Sequence, residues 1–168
     1  LIGGTEGGGG TLEFGAGGGP GTITGQYSGF ASADVLAGAA WTNETTLDPT
    51  VTVTAGAYLD NAATGSILGT TGGPGGGIGG DGVDLSGSLV NDGAITAGTG
   101  GNYVFGSDGG IGVSLAAGAS LTNDATIAGG AGGAGVFYSG LGGAGVSVAD
   151  ASLTNTGTIA GGYSAAPG

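Results

Sequence analysis

Nothing in this chain can carry a positive side-chain charge. Its 168 residues include no Lys, Arg or His against 12 Asp and Glu, and Cys and Met are missing as well. Without Lys or Arg there is nothing to neutralise phosphates, which excludes nucleic acid as a partner, and anionic membrane surfaces repel the chain. Without His or Cys there is no Ser-His-Asp triad, no thiol nucleophile and no ordinary zinc site. The chain therefore reads as a non-enzyme. No apolar run is long enough for a transmembrane helix, so this segment is not expected to insert into a membrane. Lack of cysteine is compatible with secretion, where disulfides are optional. The chain opens on Leu1 without a basic region followed by an apolar one, and reads as a processed or excised segment.

What is present in excess is glycine, 48 residues. A share that large usually signals collagen, silk or a linker. No strict Gly-X-Y period runs through the sequence and Pro occurs only 4 times, so collagen is excluded.

The ordering principle is instead a repeat. SLVNDGAIT at 88–96, SLTNDATIA at 120–128 and SLTNTGTIA at 152–160 are offset by 32 residues each. Aligned on its Asn, the element extends backward to Trp41-Thr42-Asn43 and Leu59-Asp60-Asn61, giving the series Asn43, Asn61, Asn91, Asn123 and Asn155. Each unit holds three short pieces with alternating apolar residues, of the type GVSL, ASLTN and ATIA, anchored in the later repeats by Leu89 and Ile95, Leu121 and Ile127, Leu153 and Ile159. Period-two alternation is the pattern of a half-buried strand. Strands this short are stable only when stacked on copies of themselves about 4.8 Å away. The fold class expected is all-β, a parallel β-solenoid with three faces. Residues 1–33 read as a degenerate N-terminal coil, 34–69 as short coils, and 70–168 as three repeats of 30 to 32 residues, in one domain. Gly-rich inserts at 69–82 and 128–145 are expected to bulge from one corner as loops, with a flexible linker or a second small coil in each unit as the alternatives. The Asn series is expected at turns, in the left-handed conformation, with its amides bonded into a ladder.

The pattern GVxLxxGASLTNxxTIxGGxGGxG stands here as Gly112-Val113-Ser114-Leu115, Gly118 to Asn123 and Thr126 to Gly130. It resembles the repeats of bacterial autotransporter passenger domains and filamentous-haemagglutinin-like surface proteins, closely over 80–162 and loosely over 34–69. The resemblance implies a right-handed β-helix on the bacterial cell surface or outside the cell. It leaves the role open, because such passengers include adhesins, biofilm scaffolds and enzymes. Their C-terminal membrane barrel has no counterpart in these residues.

Three groups of residues carry candidate chemistry. Gly76 to Asp84 fits a single calcium-binding nonapeptide, which makes calcium at Asp81 and Asp84 the one cofactor left open. Glu44, Asp92 and Asp124 each follow a ladder Asn and are expected to form a column of like charges, solvated on the surface. Paired acids such as Asp81 and Asp84 also suit glycoside hydrolysis in outline, but the basic residues that grip sugars are missing. Thr50 to Thr54, TVTVT, has the Thr-x-Thr form of ice-binding solenoids in one coil only. Tyr103, Phe105, Phe137 and Tyr138 lie in or beside the inserts, and Phe105 and Phe137, 32 residues apart, are expected to stack as a loop contact surface or a local minicore. Neither terminal segment reads as a cap for the stack. The function expected is a non-catalytic extracellular structural protein whose partner is itself, head-to-tail or laterally. The alternative is a monomeric adhesin stalk that presents its loops to a ligand on a host or neighbouring cell.

Overall fold

The computed structural model describes residues 9–25, 27 and 29–166, and within them there are strands and turns but no helix. The chain climbs in coils. The first contains β1 (Gly10–Phe14) and β2 (Gly21–Ile23), and the second β3 (Phe30–Val35), β4 (Ala40–Asn43) and β5 (Thr46–Leu47). The third contains β6 (Thr50–Val53), β7 (Tyr58–Asn61) and β8 (Ser66–Leu68). The fourth adds β9 (Val83–Leu85), β10 (Ser88–Asn91) and β11 (Ala94–Thr96), then a detached strand β12 (Tyr103–Phe105). The fifth repeats this as β13 (Val113–Leu115), β14 (Ser120–Asn123), β15 (Thr126–Ala128) and detached β16 (Gly135–Tyr138). The sixth holds β17 (Val146–Val148), β18 (Ser152–Asn155) and β19 (Thr158–Ala160).

Each strand pairs in parallel with its counterpart in the next coil. Three sheets result, in the orders β1-β3-β6-β9-β13-β17, β2-β4-β7-β10-β14-β18 and β5-β8-β11-β15-β19, with β12 and β16 forming a separate pair. This is a parallel β-solenoid. Register keeps like on like: Leu59, Leu89, Leu121 and Leu153 align, as do Ile67, Ile95, Ile127 and Ile159. Leu59, Leu89, Leu121, Ile67, Ile95 and Ile127 are all buried. At about 1.5–3 kcal/mol for each fully buried aliphatic side chain, these columns are the main source of stability.

The turn between the first and second sheets explains the variable gap before each Leu. Leu36 to Ala39, Thr54 to Ala57 and Ala116 to Ala119 each close a four-residue turn, with N–H to O distances of 2.9, 2.9 and 3.1 Å. Gly at the third position has φ of 77°, 78° and 81°, as a type II turn requires. In the fourth coil Ser86 and Gly87 make a shorter connection, and in the sixth Asp150 takes the left-handed conformation itself, at φ 49°. In this turn Gly38, Gly56, Gly118 and Asp150 take the left-handed conformation, and none of the ladder Asn residues does. The expectation for Asn is corrected, because its side chain is needed inside and its backbone stays extended at a strand end.

The first coil departs from the others. Trp41 stands in register with Leu59, and its ring reaches back over Gly21, where a Cβ would collide with it. The ring lies 5.3 Å from that of Phe14, Tyr27 packs edge-on to Phe14 at 6.3 Å, and Trp41 Nε1 donates to the Gly15 carbonyl at 3.1 Å. Phe14 is buried and Ile23 occupies the ladder position below Asn43. An aromatic cluster thus packs where the first described coil meets the second. Residues 1–8 of the expected N-terminal segment lie outside the described residues.

Candidate functional site

Four Asn side chains are sealed inside the solenoid at 0% exposure: Asn43, Asn61, Asn91 and Asn123. Each Nδ2 donates to the Oδ1 of the Asn one coil further on, at 2.8, 2.7, 2.7 and 2.7 Å, ending at Asn155. The ladder has one sense. At its N-terminal foot the Oδ1 of Asn43 accepts the Thr45 N–H at 3.2 Å, and at its head the Nδ2 of Asn155 turns to the Gly157 carbonyl at 3.2 Å. Asn43 also heads the sequence Asn43-Glu44-Thr45, but full burial withholds it from glycan attachment.

The carboxylates do not form the continuous column expected. Main-chain bonds place Glu44, Ala62, Asp92, Asp124 and Thr156 at successive levels, so Glu44 is separated from Asp92 by Ala62. Only Asp92 and Asp124 are neighbours, and Asp124 Oδ1 accepts the Thr156 hydroxyl. A different acid is the perturbed one. Asp60 faces outward from β7 with Oδ1 buried and without a hydrogen-bond partner. Burial first and the Asp92 charge second raise its pKa, against a hydrogen bond from Thr42 that lowers it. Tyr58 beside it is raised as well, by burial and then by the charges of Asp60 and Asp92.

Asp81 and Asp84 come together. Burial raises the pKa of Asp84, with the Asp81 charge and a hydrogen bond to Asp81 adding to it. Asp81 Oδ1 is engaged by the Ile111 N–H at 2.7 Å and its carbonyl by the Thr50 hydroxyl at 2.7 Å. Among the described residues no third acidic side chain joins the pair to make a cluster able to hold a metal. Thr50 and Thr52 of the TVTVT segment sit in register with Ser32 and Asp34 on one side, and Asp84 follows Thr52 on the other, so Thr ranks do not continue along that sheet.

The Gly-rich inserts are not loose loops. They are arms, each running outward and back, stacked arm on arm. The outward segment from 96 to 101 shows the rule. Ala97 and Gly100 donate to Ala128 and Ala131 of the next outward segment, at 3.0 and 2.8 Å, while Thr96 and Thr99 accept from Gly69 and Gly72 of the previous one. Gly98 and Gly101 donate to Gly80 and Gly77 of one returning segment, at 2.8 Å each, and accept from Gly110 and Ser107 of the other. Hydrogen bonds therefore leave in three directions with a period of three residues, the twist of an extended left-handed helix with three residues per turn. Such a lattice needs glycine where segments touch. A Cβ at Gly98 would fall on the Thr70 carbonyl, and one at Gly130 on the Gly98 carbonyl. The signal was in the sequence as Gly pairs three apart inside each insert: Gly77 and Gly80, Gly98 and Gly101, Gly130 and Gly133, Gly140 and Gly143.

The arms hold aromatic residues out at their far ends. Tyr103 is 58% exposed, Phe105 56%, Phe137 65% and Tyr138 73%. Phe105 lies 5.8 Å from Phe137 and stacks on Tyr138 at 6.1 Å and 14°. They contact each other and stay in solvent, so the expected minicore folded back over the solenoid does not describe them. Shallow grooves of about 360 and 300 Å³ flank the outward segments, lined largely by Thr and Gly, with Asp48 the one carboxylate bordering them. Comparison with family models, with curated proteins and with solved structures finds no match to this chain.

Proposed function

We propose that this chain is a non-catalytic structural element of a bacterial surface or extracellular matrix, of the autotransporter and filamentous-haemagglutinin kind, which associates with further copies through the end of its solenoid. The observation that supports this is the state of the sixth coil. Val148 is 48% and Leu153 38% exposed, where their register mates Leu115 and Leu121 are at 2% and 1%. Among the described residues β17, β18 and β19 are the outermost strands of their sheets, and like strands laid on that edge would continue all three.

The test is negative-stain electron microscopy of the purified chain at neutral and acidic pH, with and without calcium. Filaments lost on Leu153→Asp, with the thermal melt retained, support the reading, since that change places a charge on the outermost described coil. Short isolated rods under every condition overturn it. They would favour the second reading, a monomeric stalk whose arms meet a ligand, which draws support from the exposed aromatic ends. In that case deletion of 137–141 abolishes adhesion and Leu153→Asp does not.

A further inference from the structure

We propose that the far ends of the arms form a lateral pairing surface for a second copy of this chain. The surface consists of Tyr103, Phe105, Val136, Phe137, Tyr138 and Leu141, which are 56–73% exposed. Lateral pairing deepens the self-association proposed above and rests on it, but uses a different surface from the edge of the sixth coil.

The arms set the geometry. A flexible loop carrying this much apolar surface would fold it back onto the solenoid. Here the backbone behind it is fixed in a hydrogen-bonded lattice, so the rings cannot retreat. β12 and β16 pair in parallel, with Phe105 aligned to Tyr138, and no further strand joins either side among the described residues. At about 200 Å² per aromatic side chain, the four rings leave roughly 500 Å² in solvent. That is more than half of the roughly 800 Å² per partner in a standard interface, so pairing is expected to be weak and concentration-dependent.

The polar side chains around the rings decide the kind of partner. Asn102 Oδ1 accepts the Ala134 N–H at 2.7 Å, Asp108 Oδ1 accepts the Leu141 N–H at 2.7 Å, and the Ser107 hydroxyl donates to the Gly76 carbonyl. All three are spent on the arms themselves. What the surface offers is mostly ring faces and aliphatic side chains, together with the Tyr103 and Tyr138 hydroxyls. A matching apolar strip is what fits. Every copy carries one, and charge selects it. With 12 carboxylates and no cation, two copies repel wherever acidic surfaces meet. The tip has a single carboxylate at its margin, Asp108, already turned to a backbone amide. It is therefore a place where two such chains can touch, most simply about a two-fold axis that puts the same patch on both sides.

Because the chain has no cysteine, a single substitution reports contact. Tyr138→Cys is expected to give disulfide-linked dimers under mild oxidation, more of them in about 1 M salt, where the Debye length falls to about 3 Å. Thr122→Cys, on the second sheet, is expected to give at least tenfold fewer. Adding Phe105→Ser and Phe137→Ser to Tyr138→Cys should bring its yield down to that of Thr122→Cys, with an unchanged thermal melt showing that the fold survives. Equal cross-linking from both positions, or no effect of the serine changes, overturns lateral pairing. So does retarded migration of the wild-type chain in a gel containing laminarin, if Phe137→Ser abolishes it, because the surface then serves a neutral glucan. Leu153→Asp keeps the two ideas apart: filaments lost with cross-linking intact sustain both, while filaments lost on this change, when Tyr138→Cys gives no cross-linking even with Leu153 in place, sink lateral pairing alone.

Discussion

A buried amide is tolerable only if its donors and acceptor are all used, and in this chain the partner of each Asn is another Asn. Removing one member takes a partner from each neighbour. Asn123→Ala leaves the buried Asn91 Nδ2 with only the Thr126 carbonyl at 3.4 Å, and takes the donor from Asn155 Oδ1 in the exposed last coil. Loss of one buried partner costs about 1–3 kcal/mol, and a loss of that size is expected in urea unfolding. Ala at the half-buried Thr122, one position before it on the outward face, should cost under about 1 kcal/mol. A measured cost for Asn123→Ala no larger than that of Thr122→Ala would mean that the ladder contributes order and not stability. The ladder was legible from sequence because identical residues recurred at matching places. Where its Asn sits was not, since Asn suits both a left-handed turn and a satisfied buried site. Gly38, Gly56 and Gly118 already provided the left-handed positions.

At the scale of the element, the solenoid strands could be read from alternation, while the arms could not be read from alternation at all. Their pattern has a period of three. It is carried by an absence of side chains, which leaves no hydrophobic signal, and it is hidden by aromatic and Ser residues where the segments reach the tip. Taken as loops, the arms should exchange their amide hydrogens within seconds. As a bonded lattice they should not. The amides of Gly98, Gly110, Gly130 and Gly143, each bonded to a carbonyl at 2.8–3.0 Å, are expected to be protected comparably with those of the solenoid strands. Gly130→Ala should destabilise by about 1–3 kcal/mol through overpacking against backbone that cannot move aside, and should expose all four amides together. Gly118→Ala also destabilises, through its φ of 81°, but should leave arm protection intact. Loss of protection at the mutated segment only would show that the arms are independent loops.

For the whole molecule, charge of one sign sets the response to pH. Ordinary proteins lose stability in acid because carboxylates paired with cations must be protonated. This chain has no Lys, Arg or His to pair with. Its perturbed acids shift the other way: Asp60 and Asp84 are both raised, by burial first and by a neighbouring carboxylate next. A carboxyl whose folded pKa lies above its unfolded one binds its proton more tightly in the folded state. Its contribution is complete below the ordinary carboxylate pKa of about 4 and is lost as pH rises through the raised folded value. Stability should therefore increase from neutral pH down to about pH 4 and stay level beneath it. Relief of the general repulsion among 12 carboxylates acts in the same direction. Thermal melts across that range test the sign, and Asp60→Asn with Asp84→Asn should raise the melting temperature at neutral pH while flattening its dependence on acid. A melting temperature that peaks at neutral pH and falls in acid would show that favourable carboxylate contacts, such as Asp81 with the Ile111 amide and Asp124 with Thr156, outweigh the repulsion.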